Sequence, residues 1–302
     1  MTMADKLAKY VEYVKRKFPQ IQVTNVGFNL TDGNHSDVVI INDEHIFKFA
    51  KYDWTACYLA NQCKITSFVS EYIDTRLPKM ELIEDSAVKC DFIKGAPLTR
   101  DQILKLSIGD QNHIARQIGS FLRQLHAVPL KAAKFYKIGD AQVDITKENV
   151  LSEIRDIKRK IYPYCDSLSQ KTIDENLEVV LSDKNFLKYT PAVIHANPNP
   201  AAFIFDKETK KLNGVIGFGF SGIGDPAYDL GVILECYGEV FLKRVAKYYG
   251  DMSNLISRAR FYAYFNGLMW AKRTADMITT RDFSKFRFYQ CAKDCMPVGS
   301  PW

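Results

Sequence analysis

The sequence predicts an α+β fold in two parts, a small sheet lobe over residues 1–94 and a mostly helical lobe over residues 95–302. Three observations point there. Alternating runs rich in β-branched residues concentrate before Gly95. Helical periodicity dominates after Gly95-Ala96-Pro97. Short strand-like runs return only in "VIHANPNPAAFIFDKETKKLNGVIGFG", from Val193 onward. Strands first and helices later is the pattern of segregated α+β architectures.

Taken in order, residues 5–18 form a charged amphipathic helix, which lacks the apolar run and small-residue site of a signal peptide. "IQVTNVGFN" and "DVVIINDEHIFKFA" alternate as strands do, with an Asn-Asp turn inside the second run. "TDGNH" between them is a polar turn. "TACYLANQCKITSFVSEYI" has helical periodicity. "KMELIED" and "SAVKCDFIKG" read as two further strands. Helical patterns follow at 99–107, 110–127, 147–163 and 168–183, and again from Asp229 to about Asp294.

Composition narrows the function classes. The net charge is +6, but the 41 Lys and Arg are spread along the 302 residues without a basic run carrying aromatics, so nucleic acid is not an expected partner. No stretch of about 18 apolar residues occurs, so no membrane partner is expected. Seven cysteines in no paired spacing suit a reduced, cytoplasmic protein. Cys291 and Cys295 stand four apart but have no further ligands nearby, and no metal site is expected there. A monomer acting on a small-molecule ligand is the expectation.

The chemistry-bearing stretch is Val193 to Gly231. Phosphoryl transfer needs a lysine on the nucleotide phosphates and a helix carboxylate to hold that lysine. It also needs a catalytic-loop Asp as base, and an Asn and a second Asp for magnesium. The local signature is H-x-D, an Asn five residues on, then D-F-G. Here His195-Ala196-Asn197 takes the first place, Ala202 the Asn place and Gly217-Phe218-Gly219 the third. Lys48 in "HIFKFA" is the strand lysine, and Gln62 falls where its carboxylate partner belongs.

With these residues in place the chain resembles the aminoglycoside phosphotransferases, particularly those acting at the 2'' hydroxyl. "DFIKGAPL", "LRQLHAVPL", "FLKYTPAVIHA", "GVIGFG", "GIGDPAYDL" and "GEVFLKRVAKYYG" carry the resemblance, which runs from about residue 20 to 265. It implies a two-lobed protein-kinase-like fold with a nucleotide bound at a hinge near Asp91 to Gly95. The vestigial nucleotide cleft and hinge would then be formed by Lys48, Gln62, Asp91 and Ile93. It also implies an aminoglycoside site lined by acids in the helical lobe.

Four positions depart from the family pattern. The base is Asn197, an amide that takes no proton at neutral pH. The magnesium positions are Ala202 and Gly217, which carry no side-chain oxygen, although hard cations need oxygen ligands. The helix carboxylate is Gln62. The expectation is a phosphotransferase scaffold with its chemistry disabled and with neither ATP, GTP nor magnesium as cofactor. The cleft becomes a neutral pocket around Lys48, walled by Cys90, Ala202, Phe203, Ile216, Gly217 and Phe218. Lysines in apolar pockets form Schiff bases with carbonyl compounds, which makes Lys48 a candidate amine.

Every reactive position is neutralised while the frame stays whole, which favours an engineered or designed derivative, with lyase (retro-aldol) or hydrolase chemistry as candidate activities. Two alternatives stand beside it. One is a natural pseudokinase that binds nucleotide or aminoglycoside without turnover. The other is an active phosphotransferase whose metal ligands are displaced to Asp206, Asp225 and Asp229. Asp225 and Asp229 otherwise read as ties of the loop–helix junction, and His195 as a packed structural histidine. A Cys57–His35 dyad is a further candidate. Ser221 lacks the second glycine of a nucleophile elbow.

Overall fold

The computed structural model describes residues 2–29, 36–143 and 145–280. Helix α1 (Met3–Lys17) opens the chain, its first turn closed by a capping box between Thr2 and Asp5. Five antiparallel strands follow in the order β1-β2-β3-β5-β4: β1 (Val26–Asn29), β2 (Ser36–Ile41), β3 (His45–Ala50), β4 (Met80–Glu84) and β5 (Ala87–Asp91). Helix α2 (Ala56–Val69) connects β3 to β4. Side chains alternate across a strand. Phe47 and Phe49 therefore face α1, where Tyr10 stacks on Phe49 at 4.1 Å between ring centroids. Lys48 faces the other way, toward α2.

Helix α1 is held by polar contacts as well. Asp37 is fully buried, accepts a hydrogen bond from the Tyr10 hydroxyl at 2.7 Å and pairs with Lys6 at 2.5 Å and Lys51 at 3.4 Å. Such a group is kept only where partners offset its desolvation.

The first strand is shorter than the sequence pattern suggests, starting at Val26 rather than near Ile21. The reason is Asn42, in the left-handed region at the predicted Asn-Asp turn. Its side chain accepts from the backbone N–H groups of Thr24 and Asn25 and donates to the Gln22 carbonyl. A side chain, not a ladder, satisfies that segment's backbone.

The remainder is largely helical. Strand β6 (Ala96–Pro97) leads to α3 (Arg100–Leu104), α4 (Ile108–His126), α5 (Leu130–Phe135), α6 (Lys147–Ile161) and α7 (Ser167–Ser182). Four short strands follow: β7 (Ala192–Ile194), β8 (Phe203–Asp206), β9 (Lys211–Val215) and β10 (Gly222–Gly224). Helices α8 (Pro226–Tyr237), α9 (Glu239–Tyr249) and α10 (Ile256–Thr280) complete the described chain. Strand β8 pairs with β6 and β9, and β7 with β10, so the two short sheets bring the 195–202 and 216–222 loops together.

Beneath those loops lies the main core. Ile114, Ile118, Phe121 and Leu125 of α4 are fully buried, and Phe121 meets Phe203 and Phe218 edge-on. Each such side chain contributes roughly 1.5–3 kcal/mol on burial. Among the described residues no helix is long and apolar enough to cross a membrane. His35, Cys291 and Cys295 lie outside the described residues.

Candidate functional site

Strand β3 delivers Lys48 into the space between the five-stranded sheet and the helical part. Its Nζ donates to Gln62 Oε1 at 3.2 Å. Gln62 is buried on α2, so the lysine is positioned by a neutral amide and gains no counter-charge from it. Two thiols lie close to this pair. Burial pushes Cys63 up to about 11, with Cys90 adding to the rise and Lys48 opposing it. Burial raises Cys90 as well. Both stay protonated at neutral pH and are weak nucleophiles. Cys57 is exposed at the start of α2, and its expected partner His35 is outside the described residues.

The loop after β7 keeps a well-defined shape without acids at its tip. Asp229 of α8 is fully buried and takes three hydrogen bonds. These come from the His195 N–H at 2.7 Å, the Ala196 N–H at 2.8 Å and the His126 ring at 3.1 Å. This holds Ala196 at φ +66°, a left-handed conformation that a non-glycine residue adopts only under constraint. His195 is fully buried, its Nε2 on the Ile216 carbonyl at 2.9 Å and its Nδ1 accepting from the Asn197 N–H. Burial lowers its pKa, so the ring stays neutral and serves as a packed link between two loops.

The second loop is tied from both sides. Ser221 Oγ donates to the His195 carbonyl at 2.8 Å, which occupies the hydroxyl that could have been a nucleophile. Asn61 of α2 donates to the carbonyls of Gly219 and Ser221, each at 3.1 Å. Gly217 itself sits at φ +95°, where glycine is favoured. A Cβ there would meet only the His195 ring, at 3.8 Å.

These parts enclose a cavity of about 320 Å³. Its sheet-side wall includes Lys48, Gln62 and Ser36, and its helical-side wall Asn197, Asn199, Ala202, Ile216 and Gly217. Lys48 is the one charged group among the described residues lining it. The other expected wall residues are elsewhere. Phe203 and Phe218 are fully buried, because strand alternation turns Phe203 to the core and Phe218 packs on the His195 ring at 4.6 Å. Cys90 is buried in β5 and does not line the cavity. Asp91 closes β5, and Ile93 is packed beneath Gly214, so neither side chain reaches it. Three amides, Gln62, Asn197 and Asn199, line it beside Lys48, among mostly apolar neighbours that include Val38, Leu59, Ile216 and Phe220.

Asn199 was not singled out by the sequence pattern. It donates to Asn197 Oδ1 at 3.0 Å, so the two amides form a pair at the position where a family member carries its base. A magnesium–phosphate centre does not fit these residues. Ala202 and Gly217 offer no side-chain oxygen, Asn197 Oδ1 is engaged by Asn199, and Gln62 Oε1 by Lys48. The displaced-acid alternative fails on position. Asp206 caps the hairpin turn through the Glu208 N–H, Asp225 caps α8 and pairs with Arg258 at 2.6 Å, and Asp229 is the backbone clamp.

A second cavity, of about 500 Å³, opens on the other side of Asn197 and Asn199, between α6, α8 and α10. Its walls include the rings of Tyr228, Phe265 and Trp270. Two acids, Glu153 and Glu235, line it. Glu153 is ion-paired with Lys272. Glu235 is buried, accepts from Asn266 Nδ2 at 3.0 Å, and burial raises its pKa to about 7 against the opposing effect of that bond. The sequence signal for Glu235 was available: a lone acid in the otherwise apolar run "LGVILECY".

The sequence profile of the phosphotransferase enzyme family (APH) matches residues 30–263. Among solved structures, the GDP complex of wild-type aminoglycoside 2'-phosphotransferase-IIIa superposes with a TM-score of 0.79 at 20% identity, covering 95% of this chain and 98% of that one. The GDP and kanamycin complex of APH(2'')-IIIa gives 0.77 at 21% identity, over 95% and 98% of the two chains. The macrolide 2'-phosphotransferase of Brachybacterium faecium gives 0.64 at 16% identity, over 98% and 100%.

Proposed function

The chain belongs to the phosphotransferase enzyme family, and from that premise we propose that it is a natural pseudoenzyme of the family, which binds a nucleotide and a hydroxylated small molecule without transferring phosphate between them. One observation carries this reading. The loops that would hold base and metals keep their shape, clamped by Asp229, Asn61 and Ser221, while Asn197, Ala202, Gly217 and Gln62 leave the cavity with Lys48 as its charged group. A lysine retained at the phosphate position attracts an anion, and a wall without carboxylates does not repel one.

At 16–21% identity these solved relatives are too distant to be a parent from which this chain was stripped. The chemistry is limited to binding. Asn197 accepts no proton, and no general base reaches the cavity from the described residues that line it.

Thermal shift with ATP and GTP, with and without magnesium, tests the reading. Ligand binding to the native state raises the melting temperature. The expected result is a shift that magnesium does not increase and that Lys48→Ala removes, with no phosphate transferred in a parallel assay. Magnesium-dependent turnover overturns it.

A further inference from the structure

The stretch "LKAAKFYK", Leu130 to Lys137, carries three lysines, two aromatics and no acid. Helix α5 takes up most of it and is anchored by Ala133, which is fully buried, and the chain returns to the core at Ile138. Between those anchors Phe135 and Tyr136 point outward, 82% and 56% exposed. A ring so exposed contributes little to folding. We propose that this corner of the molecule docks peripherally on an anionic lipid bilayer. Phe135 enters the acyl boundary, Tyr136 sits at the headgroup level, and the surrounding lysines meet the lipid phosphates and carboxylates.

The aromatic tip has a firm base. Phe135 meets the Tyr136 ring at 5.8 Å between centroids, Tyr136 lies 4.9 Å from Phe68, and Phe68 is buried on α2. Lys131, Lys134 and Lys137 are exposed around it. Lys137 adopts φ +54°, and its carbonyl accepts from Lys64 Nζ of α2, which brings a further ammonium to the same corner. Among the described residues none of these lysines is paired with a carboxylate. The acids Glu71 and Asp74 flank Tyr72, at the far end of the aromatic row beyond Phe68, so positive charge gathers around Phe135.

Charge and shape choose the occupant. A second copy would set one lysine cluster against another, so self-association through this corner is disfavoured. A protein partner receives a ring in a pocket of matching shape, whereas a bilayer accepts any protruding apolar side chain and attracts lysines to its anionic surface. Phe135 and Tyr136 line neither of the two cavities described above and protrude from a short helix. The lack of a spanning helix has no bearing here, because a peripheral contact needs none. One aromatic anchor with a collar of lysines gives a reversible contact that salt weakens. Loss of one ammonium should weaken it about fivefold. Loss of the Phe135 ring should weaken it at least about tenfold.

The test is co-sedimentation of the full chain with phosphatidylcholine vesicles, with and without phosphatidylserine. Binding is expected only where phosphatidylserine is present, and high salt should abolish it. Phe135→Ala should weaken it about tenfold. The combined change Lys131→Gln, Lys134→Gln and Lys137→Gln should weaken it about a hundredfold. All four positions are exposed, so these variants should keep the melting temperature of the unaltered protein. Phe135→Trp should add fluorescence that brominated acyl chains quench. No binding to phosphatidylserine vesicles, equal binding to phosphatidylcholine alone, binding that survives either set of substitutions, or an unquenched Phe135→Trp variant each overturns the inference. Polyglutamate bound through the same lysines without vesicle binding assigns the corner to an acidic protein partner and overturns it as well. Nucleotide shifts are read without vesicles, so this inference and the proposed function stand or fall separately.

Discussion

Asp229 shows how much one buried carboxylate settles. Both its oxygens accept from backbone N–H groups of the 195–196 turn, and His126 adds a third donor. Replacing one oxygen by an amide, Asp229→Asn, sets a donor against a donor. A loss of about 2–3 kcal/mol is expected, read as a fall in the urea midpoint. Glu235 makes the opposite case, a carboxyl whose burial favours the neutral form. Its pKa moves from 4.5 to about 7 on folding. The folded state then holds one more proton than the unfolded state between those values. The contribution of Glu235 to stability is greatest below pH 4.5 and falls as pH rises to 7, by about 3 kcal/mol at most. Glu235→Gln should therefore stabilise the protein at pH 8, with the gain vanishing near pH 4.5, as denaturation at the two pH values will show.

At the scale of elements, the site depends on how closely helices and loops approach. Gly119 on α4 lies under α9, where a Cβ would come within 2.6 Å of the Val245 carbonyl oxygen. Gly119→Ala should cost about 1–3 kcal/mol by forcing the helices apart, even though alanine gains about 1 kcal/mol in helix propensity. Asn61→Ala should release the 219–221 loop from α2 for about 1 kcal/mol, with faster proteolysis in that loop as the readout.

Elements differ in how legible they are. The α+β order, the strand placing Lys48 and the helix placing Gln62 follow from local periodicity, which a sequence carries directly. The short α5 escapes a periodicity reading because six residues hold less than two turns. The Phe203 and Phe218 positions mislead because proximity in sequence to Ala202 and Gly217 says nothing about which way a side chain turns. The amide pair depends on the shape of its own loop, while the Asn61 clamp and the Glu235–Asn266 contact depend on tertiary approach. The last two join residues 158 and 31 positions apart, distances over which local pattern carries no information.

Across the whole molecule, the two cavities share the wall made by Asn197 and Asn199. The frame around them is intact enough to test by restoration. The quadruple change Gln62→Glu, Asn197→Asp, Ala202→Asn and Gly217→Asp should create a magnesium-dependent thermal shift with ATP. The open space above Gly217 admits the new side chain, and its φ of +95° is one that Asp tolerates better than most residues. Absence of any magnesium dependence would show that the loops differ from a competent arrangement in more than side-chain identity.

The Asp229 clamp has an evolutionary consequence. Apart from the Asn197–Asn199 amide contact, the side-chain bonds that fix the loops come from residues other than the four that depart from the family pattern. The Asp229 bonds therefore hold the loops whatever side chains stand at 62, 197 or 202, whereas position 217, at φ +95°, keeps its preference for glycine. A lineage could exchange side chains at those three positions one at a time, in any order, without crossing an unfolded intermediate, while a change at 217 would cost stability in one direction and return it in the other.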